Sequence, residues 1–189
     1  MKLLVVVDMQ NDFIDGSLGT NEAKAIVDNV VKKINNHKGM IAVTQDTHYQ
    51  DYLETQEGVN LPVVHCVKYE HGWELNSKVR DALMEKSNEG AVTDIFNKKT
   101  FGCAEMGWYY GDICARSNIT EIEIVGLCTD ICVISNALIL KAFCPEIPIC
   151  VDASCCAGVT PESHENALNA MKMCQINIVN WGENENAVC

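Results

Sequence analysis

The chain is predicted to be an α/β protein built on one doubly wound, mainly parallel sheet of about six strands with helices on both faces. Two observations carry this. Short β-rich runs (LLVVVD, MIAVTQD, AVTDIFNK, EIEIVGL, IPICVDA and INIVNW) alternate with longer segments of helical periodicity. The runs are also apolar almost throughout rather than at every second residue, as in strands covered on both sides.

The first run ends at Asp8, after LVVV. Asn21 to His37 follows with Ala23, Ile26, Val27, Val30, Val31 and Ile34 on one side, the stripe of an amphipathic helix. Trp73 to Met84 and Ala104 to Arg116 read as further helices. Ile131 to Phe143 is apolar nearly all round and is expected to be largely buried. Thr160-Pro161-Glu162 opens a last helix, with Thr as N-cap, Pro at the first helical position and an acid in the first turn; it is expected to run to about Cys174. No repeat, low-complexity tract or linker interrupts the pattern. Residues 1–181 therefore read as one domain and residues 182–189, GENENAVC, as a polar tail.

Composition narrows the function. With 189 residues the chain can bury a full core, and a net charge of −12 repels nucleic acid and anionic membranes. No apolar run approaches the roughly 20 residues of a membrane span. MKLLVVVD is too short for the apolar part of a signal peptide, so a cytoplasmic location is expected. There are eleven cysteines, an odd number, with no C-x-x-C pair. That argues against a zinc ribbon, a thioredoxin-type motif or a disulfide framework. Cys144, Cys150, Cys155 and Cys174 sit in apolar runs and read as small hydrophobes in a reducing compartment.

In the strand order 3-2-1-4-5-6, ligands bind where the order reverses, beyond the carboxyl ends of strands 1 and 4. Asp8 ends strand 1, and GLCTDICVISNAL follows strand 4. If a helix begins near Thr129 or Asp130, Cys132 lies in its first turn, where the dipole and free N–H groups favour a thiolate. Cys128 lies in the preceding turn, where backbone N–H groups can face an oxyanion. Asp8 is a candidate base for the thiol, whereas Asp12 reads as structural. Lys98 or Lys99, in DIFNKKTFG, would supply a neighbouring cation, and spacing does not choose between them. In TQDTHY, Asp46 and His48 flank one residue; with His65 and Glu54 they form a donor set suited to zinc, manganese or iron.

DMQNDF, NKKTFG and GLCTDICV, in this order and each at a strand end, resemble the motifs of the isochorismatase-like cysteine hydrolases. Asp46, His48 and His65 point within that family to its nicotinamidase branch. The resemblance implies an Asp8–Lys98–Cys132 triad and favours Lys98, which is followed by an aromatic three places on. It also implies a cis peptide between Leu127 and Cys128, and an oxyanion hole from the backbone N–H groups of Cys128 and Cys132. One divalent metal (Zn, Mn or Fe) would be held by Asp46, His48, His65 and a fourth ligand at Glu54, with no organic cofactor. The substrate implied is a small amide, nicotinamide first, and the assembly a dimer or tetramer. Phe13 is a candidate wall of the substrate slot. KYEHGWEL replaces a small Gly/Thr-rich loop of the branch, so Tyr69 and Trp73 are expected to shape the pocket. A different small amide, or a metal- or thiol-bearing member without activity, are the alternatives. A dinucleotide-binding role lacks its G-x-G-x-x-G after strand 1.

Overall fold

In a computed structural model, which describes residues 1–182, a six-stranded parallel sheet forms the centre in the order β3-β2-β1-β4-β5-β6. The strands are β1 (Lys2–Val7), β2 (Gly39–Asp46), β3 (Thr93–Lys98), β4 (Glu121–Leu127), β5 (Ile149–Ala157) and β6 (Asn177–Val179). Residues 183–189, most of the expected polar tail, lie outside the described part. The helices are α1 (Asn11–Ile14), α2 (Asn21–Asn36), α3 (Gln56–Asn60), α4 (Ser77–Asn88), α5 (Ala104–Arg116), α6 (Ile134–Phe143) and α7 (Pro161–Met173).

Side chains of a strand point alternately to the two faces, and β1 feeds two cores accordingly. Leu3, Val5 and Val7 join the cluster under α5, α6 and α7, with Met106, Tyr110, Leu140 and Leu168. Leu4 and Val6 join the cluster under α2 and α4, with Val30, Ile34 and Val79. No helix among the described residues is long and apolar enough to cross a membrane.

Four expectations are corrected. The helix sought at Trp73 to Met84 begins at Ser77, because the Asn76 side chain accepts the Lys78 N–H and caps it there. β5 continues past Ala153 to Ala157: its pairing with β4 jumps from Ile124–Val151 to Gly126–Cys156, and the extra residues bulge at Asp152 to Cys155. The segment from Ile131 to Phe143 is less buried than its composition suggests. Within α6 only Asn136, Ala137 and Leu140 are buried, and Leu138 and Phe143 face outward. Phe143 lies instead along Gly107 and Gly111 of α5, where a side chain on either glycine would collide with or crowd its ring. Cys144, Cys150 and Cys155 are buried, but Cys174 is exposed just beyond α7.

One glycine is required by the close approach of two strand ends. Gly126 has φ +121°, and a Cβ on it would lie 2.1 Å from the Val7 carbonyl oxygen. Gly126→Ala is expected to cost about 2–4 kcal/mol of stability by chemical denaturation, because it combines backbone strain with a backbone collision. A loss below about 0.5 kcal/mol would show that the strand ends are free to part.

Candidate active site and metal-donor group

Four adjacent strands each deliver one group to their carboxyl ends. β3 ends at Lys98, β2 at Asp46, and β1 runs directly into Asp8; Cys132 lies in the turn after β4. Asp46 and Lys98 are register partners. Asp8 leaves the strand with φ 47°, a left-handed conformation uncommon outside glycine, which turns its side chain off the sheet's alternation.

Lys98 is the hub. Its Nζ lies 2.7 Å from Asp8 Oδ2, 3.4 Å from Cys132 Sγ and 3.5 Å from Asp46 Oδ1. All four side chains are buried, Asp8 completely. Thr44 Oγ1 donates to Asp8 Oδ1 at 2.7 Å, which leaves Oδ2 to the lysine. Burial raises the pKa of Asp8 beyond what Lys98 and Thr44 take back. Burial also pushes the Cys132 thiol well up, and the nearby Asp8 charge adds to it. The Lys98 ammonium loses solvation but gains Asp8, Cys132 and Asp46, and is held above its ordinary range. The thiol is therefore neutral at rest, beside the 2.7 Å Asp8–Lys98 contact. A carboxylate with a raised pKa is the better acceptor for that thiol's proton.

The nucleophile turn is a π-helical turn, Thr129–Val133, rather than the first turn of the α-helix. Single π-turns recur at functional sites. The Cys128 carbonyl accepts from both Ile131 and Val133 N–H, and the peptide bond between Leu127 and Cys128 is cis. Asn136, fully buried, donates to the Cys132 carbonyl at 2.8 Å and accepts from Cys103 N–H at 2.8 Å. This places α5 behind the turn.

Beside Lys98, four donors converge: Asp46, His48, His65 and Glu57, with all ligand atoms within 4.8 Å of one another. His48 Nε2 is 3.0 Å from Asp46 Oδ2 and 3.5 Å from Glu57 Oε1; His65 Nε2 is 3.5 and 3.8 Å from the same atoms. His65 Nδ1 lies 2.7 Å from the Val63 carbonyl, which can only accept, so the proton sits there and Nε2 offers its lone pair. Burial alone would raise the Asp46 pKa, but the neighbouring His48 and His65 imidazoles and the charge of Lys98 hold it low. Two imidazoles and two carboxylates suit a divalent transition ion, so the residues present fit such a metal.

Glu54 is not part of this group. It is exposed at the end of a 3-10 turn (Tyr52–Glu54), and Thr55 caps the next helix, α3, which brings Glu57 round instead. Phe13, on α1, stands edge-on to His65 with ring centroids 5.6 Å apart. Tyr69 is 80% exposed, with its ring against Trp73 and under the Lys68 ammonium. The Trp73 ring reaches inward to donate to Thr47 Oγ1 at 2.9 Å. A cleft of about 780 Å³ meets the donor group at His48 and Glu57 and the nucleophile turn at Ile131. Its walls include Thr47, Tyr49, Tyr52 and Phe101, and not Phe13, Tyr69 or Trp73. Lys99 lies on the outer wall over the Tyr49 ring, 4.6 Å from its centroid, away from Asp8.

Several contributors carry no motif of their own. Gln10, fully buried, donates to the Asp46 carbonyl and accepts from its N–H, clamping the end of β2 to β1. Its amide also reaches the Trp73 carbonyl. Asp12 is structural as expected: it accepts from the N–H groups of Cys66 and Ser17 and so fixes the loop that carries His65. The DMQND spacing contains these residues, but which strand end each would grip depends on the sheet order.

A thiol, an acid and a buried cation at the reversal point of a doubly wound sheet define a cysteine-hydrolase type of site. The chain belongs to the isochorismatase family: the profile of the Isochorismatase domain matches residues 2–183. Nicotinamidase and pyrazinamidase members are among the proteins it resembles. It is 26% identical to the nicotinamidase of Saccharomyces cerevisiae over 222 aligned positions, covering 95% of this chain and 99% of that protein. It is 25% identical to the nicotinamidase/pyrazinamidase of Mycobacterium tuberculosis, covering 95% and 98%. Among solved structures it resembles the pyrazinamidase of Pyrococcus horikoshii in complex with zinc (TM-score 0.73, 26% identity, 95% and 99% covered). It also resembles the nicotinamidase/pyrazinamidase of Bacillus subtilis (TM-score 0.77, 26% identity, 94% and 99% covered).

Proposed function

We propose that the chain is a cysteine-dependent amidohydrolase that converts nicotinamide and water to nicotinate and ammonia. The observation that carries this reading is the position of Lys98, in contact at once with Asp8, Cys132 and the metal-donor residue Asp46. It supports a thiol–acid pair and a metal site working on one small molecule.

Asp8 takes the proton of Cys132, and the thiolate attacks the amide carbonyl. The backbone N–H groups of Cys128 and Cys132 hold the oxyanion; one such donor is typically worth about 3 kcal/mol. Asp8 returns its proton to the departing nitrogen, so ammonia leaves and a thioester remains. Water then adds to the thioester with Asp8 again as base, releasing the acid and restoring the thiol. Lys98 keeps the charge of the site balanced through each transfer. Asp46, His48, His65 and Glu57 would hold a divalent ion, whose Lewis acidity offers an anchor for a ring nitrogen. Zinc, manganese or iron suits these donors. The reading includes a cytoplasmic homo-oligomer, a dimer or tetramer, formed of one domain.

A second reading keeps the chemistry and changes the amide. The cleft, at about 780 Å³, is roomy for a single small ring and admits a larger amide. The deciding experiment is ammonia release from nicotinamide by the purified, metal-loaded protein. Release supports nicotinamidase activity. No release from folded, metal-loaded protein would move the substrate to another amide.

The donor group is tested separately by elemental analysis. Glu57→Gln is expected to weaken metal retention about 10- to 100-fold, and Glu54→Gln to leave it unchanged. The reverse order would return the fourth ligand to Glu54.

A further inference from the structure

We infer that His164 is a positioning residue for the nucleophile turn, holding Thr129 and thereby the backbone at Cys128 and Cys132 in the geometry that attack requires. The inference rests on the hydrolase reading above and assigns a role to a residue outside both the triad and the donor group.

The π-turn is braced from two sides. On the inner side Asn136 holds the Cys132 carbonyl. On the other side the bracing comes from the β5–α7 connection and the first turn of α7. His164 Nδ1 lies 2.8 Å from Oγ1 of Thr129, a residue with no exposed surface. The next residue, Asp130, accepts the Val159 N–H at both carboxylate oxygens, at 3.1 and 3.3 Å. Two consecutive residues between Cys128 and Cys132 are thus tied to the same short segment.

That segment is itself rigid. Thr160 and Ser163 form a reciprocal capping box at the start of α7, with Pro161 at its first position. Gly158 lets the connection press onto the helix: a Cβ there would lie 2.9 Å from both the His164 Cβ and its backbone nitrogen. Burial keeps His164 below its usual pKa, against Glu165 and Asp130. A neutral Nδ1 and the Thr129 hydroxyl can each donate or accept, so either tautomer keeps the contact. The oxyanion donors flank Thr129 in sequence. Small displacements of such donors cost rate rather than binding.

The test uses the metal-loaded full chain with His164→Ala, His164→Asn and Thr129→Val, and the double variant His164→Ala/Thr129→Val. His164→Ala is expected to lower kcat about tenfold with KM changed less than about twofold. His164→Asn, which keeps an acceptor near the Nδ1 position, should recover most of that loss. The double variant should be no slower than the slower single one, because both remove the same bond. A second readout does not depend on the substrate: alkylation of Cys132 by iodoacetamide, followed on its own peptide by mass spectrometry, should slow several-fold in His164→Ala. Wild-type kcat and alkylation rate in His164→Ala would overturn the inference, as would additive losses in the double variant or no recovery in His164→Asn. If the wild type hydrolysed no amide, the hydrolase reading would fail, while the alkylation rates would still decide whether His164 positions the turn.

Discussion

Replacing Cys132 by Ala is expected to lower amide turnover at least about 10³-fold while leaving the fold and the metal content intact. The sulfur is the only atom of the side chain used in bond formation, and no other group stands in its place. Cys128 is the nearest thiol in sequence, but its pKa is pushed up to about 12 by burial, with Asp130 adding to the effect. A stability change of about 1 kcal/mol or less is expected, because the thiol is neutral at rest and Lys98 keeps its 2.7 Å contact with Asp8. The Ala variant also serves as the control for contaminating amidases. Equal ammonia release by wild type and Cys132→Ala would remove the nucleophile assignment.

Lys98→Met should affect both activity and stability. The ammonium faces two buried carboxylates, Asp8 and Asp46, and among the described residues no other cationic side chain is paired with Asp8. Removing one partner of a buried pair typically costs about 3–5 kcal/mol, because the other charge is left without compensation. The pKa of Asp8, already raised by burial, would rise further without Lys98. A carboxyl whose folded-state pKa is raised binds its proton more tightly in the native state, so it favours folding below its unfolded pKa. That contribution disappears as pH rises through the folded pKa. The deficit of Lys98→Met relative to wild type is therefore expected to be largest at neutral pH and to shrink on acidification towards the ordinary carboxylate range. Urea denaturation of both proteins at several pH values measures it directly. Activity should fall at least about 10²-fold at neutral pH, since a protonated Asp8 cannot take the thiol's proton. A variant of wild-type stability at every pH would mean that the Asp8 carboxylate is not held as an ion pair.

The parallel sheet and the strand-end placement of Asp8 and Asp46 were legible because buried parallel strands leave near-continuous apolar runs, and a charge at the end of such a run stands out; the strand order follows from the commonest doubly wound arrangement, not from the runs. Asp8, Cys132, Asp46, His48 and His65 could be picked from the sequence by type and position, whereas Lys98 and Lys99 were separated only by the resemblance to the family motif. Glu54 and Glu57 could not be told apart in this way. Both carboxylates lie shortly after His48, and the choice is made by a 3-10 turn followed by the Thr55 cap, local features that hydrophobic periodicity does not register. Tyr69 and Trp73 looked like pocket residues because their loop is unusual, but exposure depends on how the loop packs against Thr47 and Glu70. Gln10 and Thr44 were invisible for another reason: each acts across neighbouring strands, on Asp46 and Asp8, so their value appears only once β1 and β2 are paired. The partial exposure of α6 has the same origin. Its composition is apolar on every side, yet only the face between the sheet, α5 and α7 is covered.

The most direct test of the thioester mechanism is a rapid-quench experiment on the metal-loaded protein, with enzyme in excess over nicotinamide, followed by peptide mass analysis. Ammonia should be released as the acyl group appears on the Cys132 peptide, and the adduct should then decay as nicotinate forms. Nicotinate and ammonia appearing together from the first turnover, with the Cys132 peptide unmodified throughout, would contradict it.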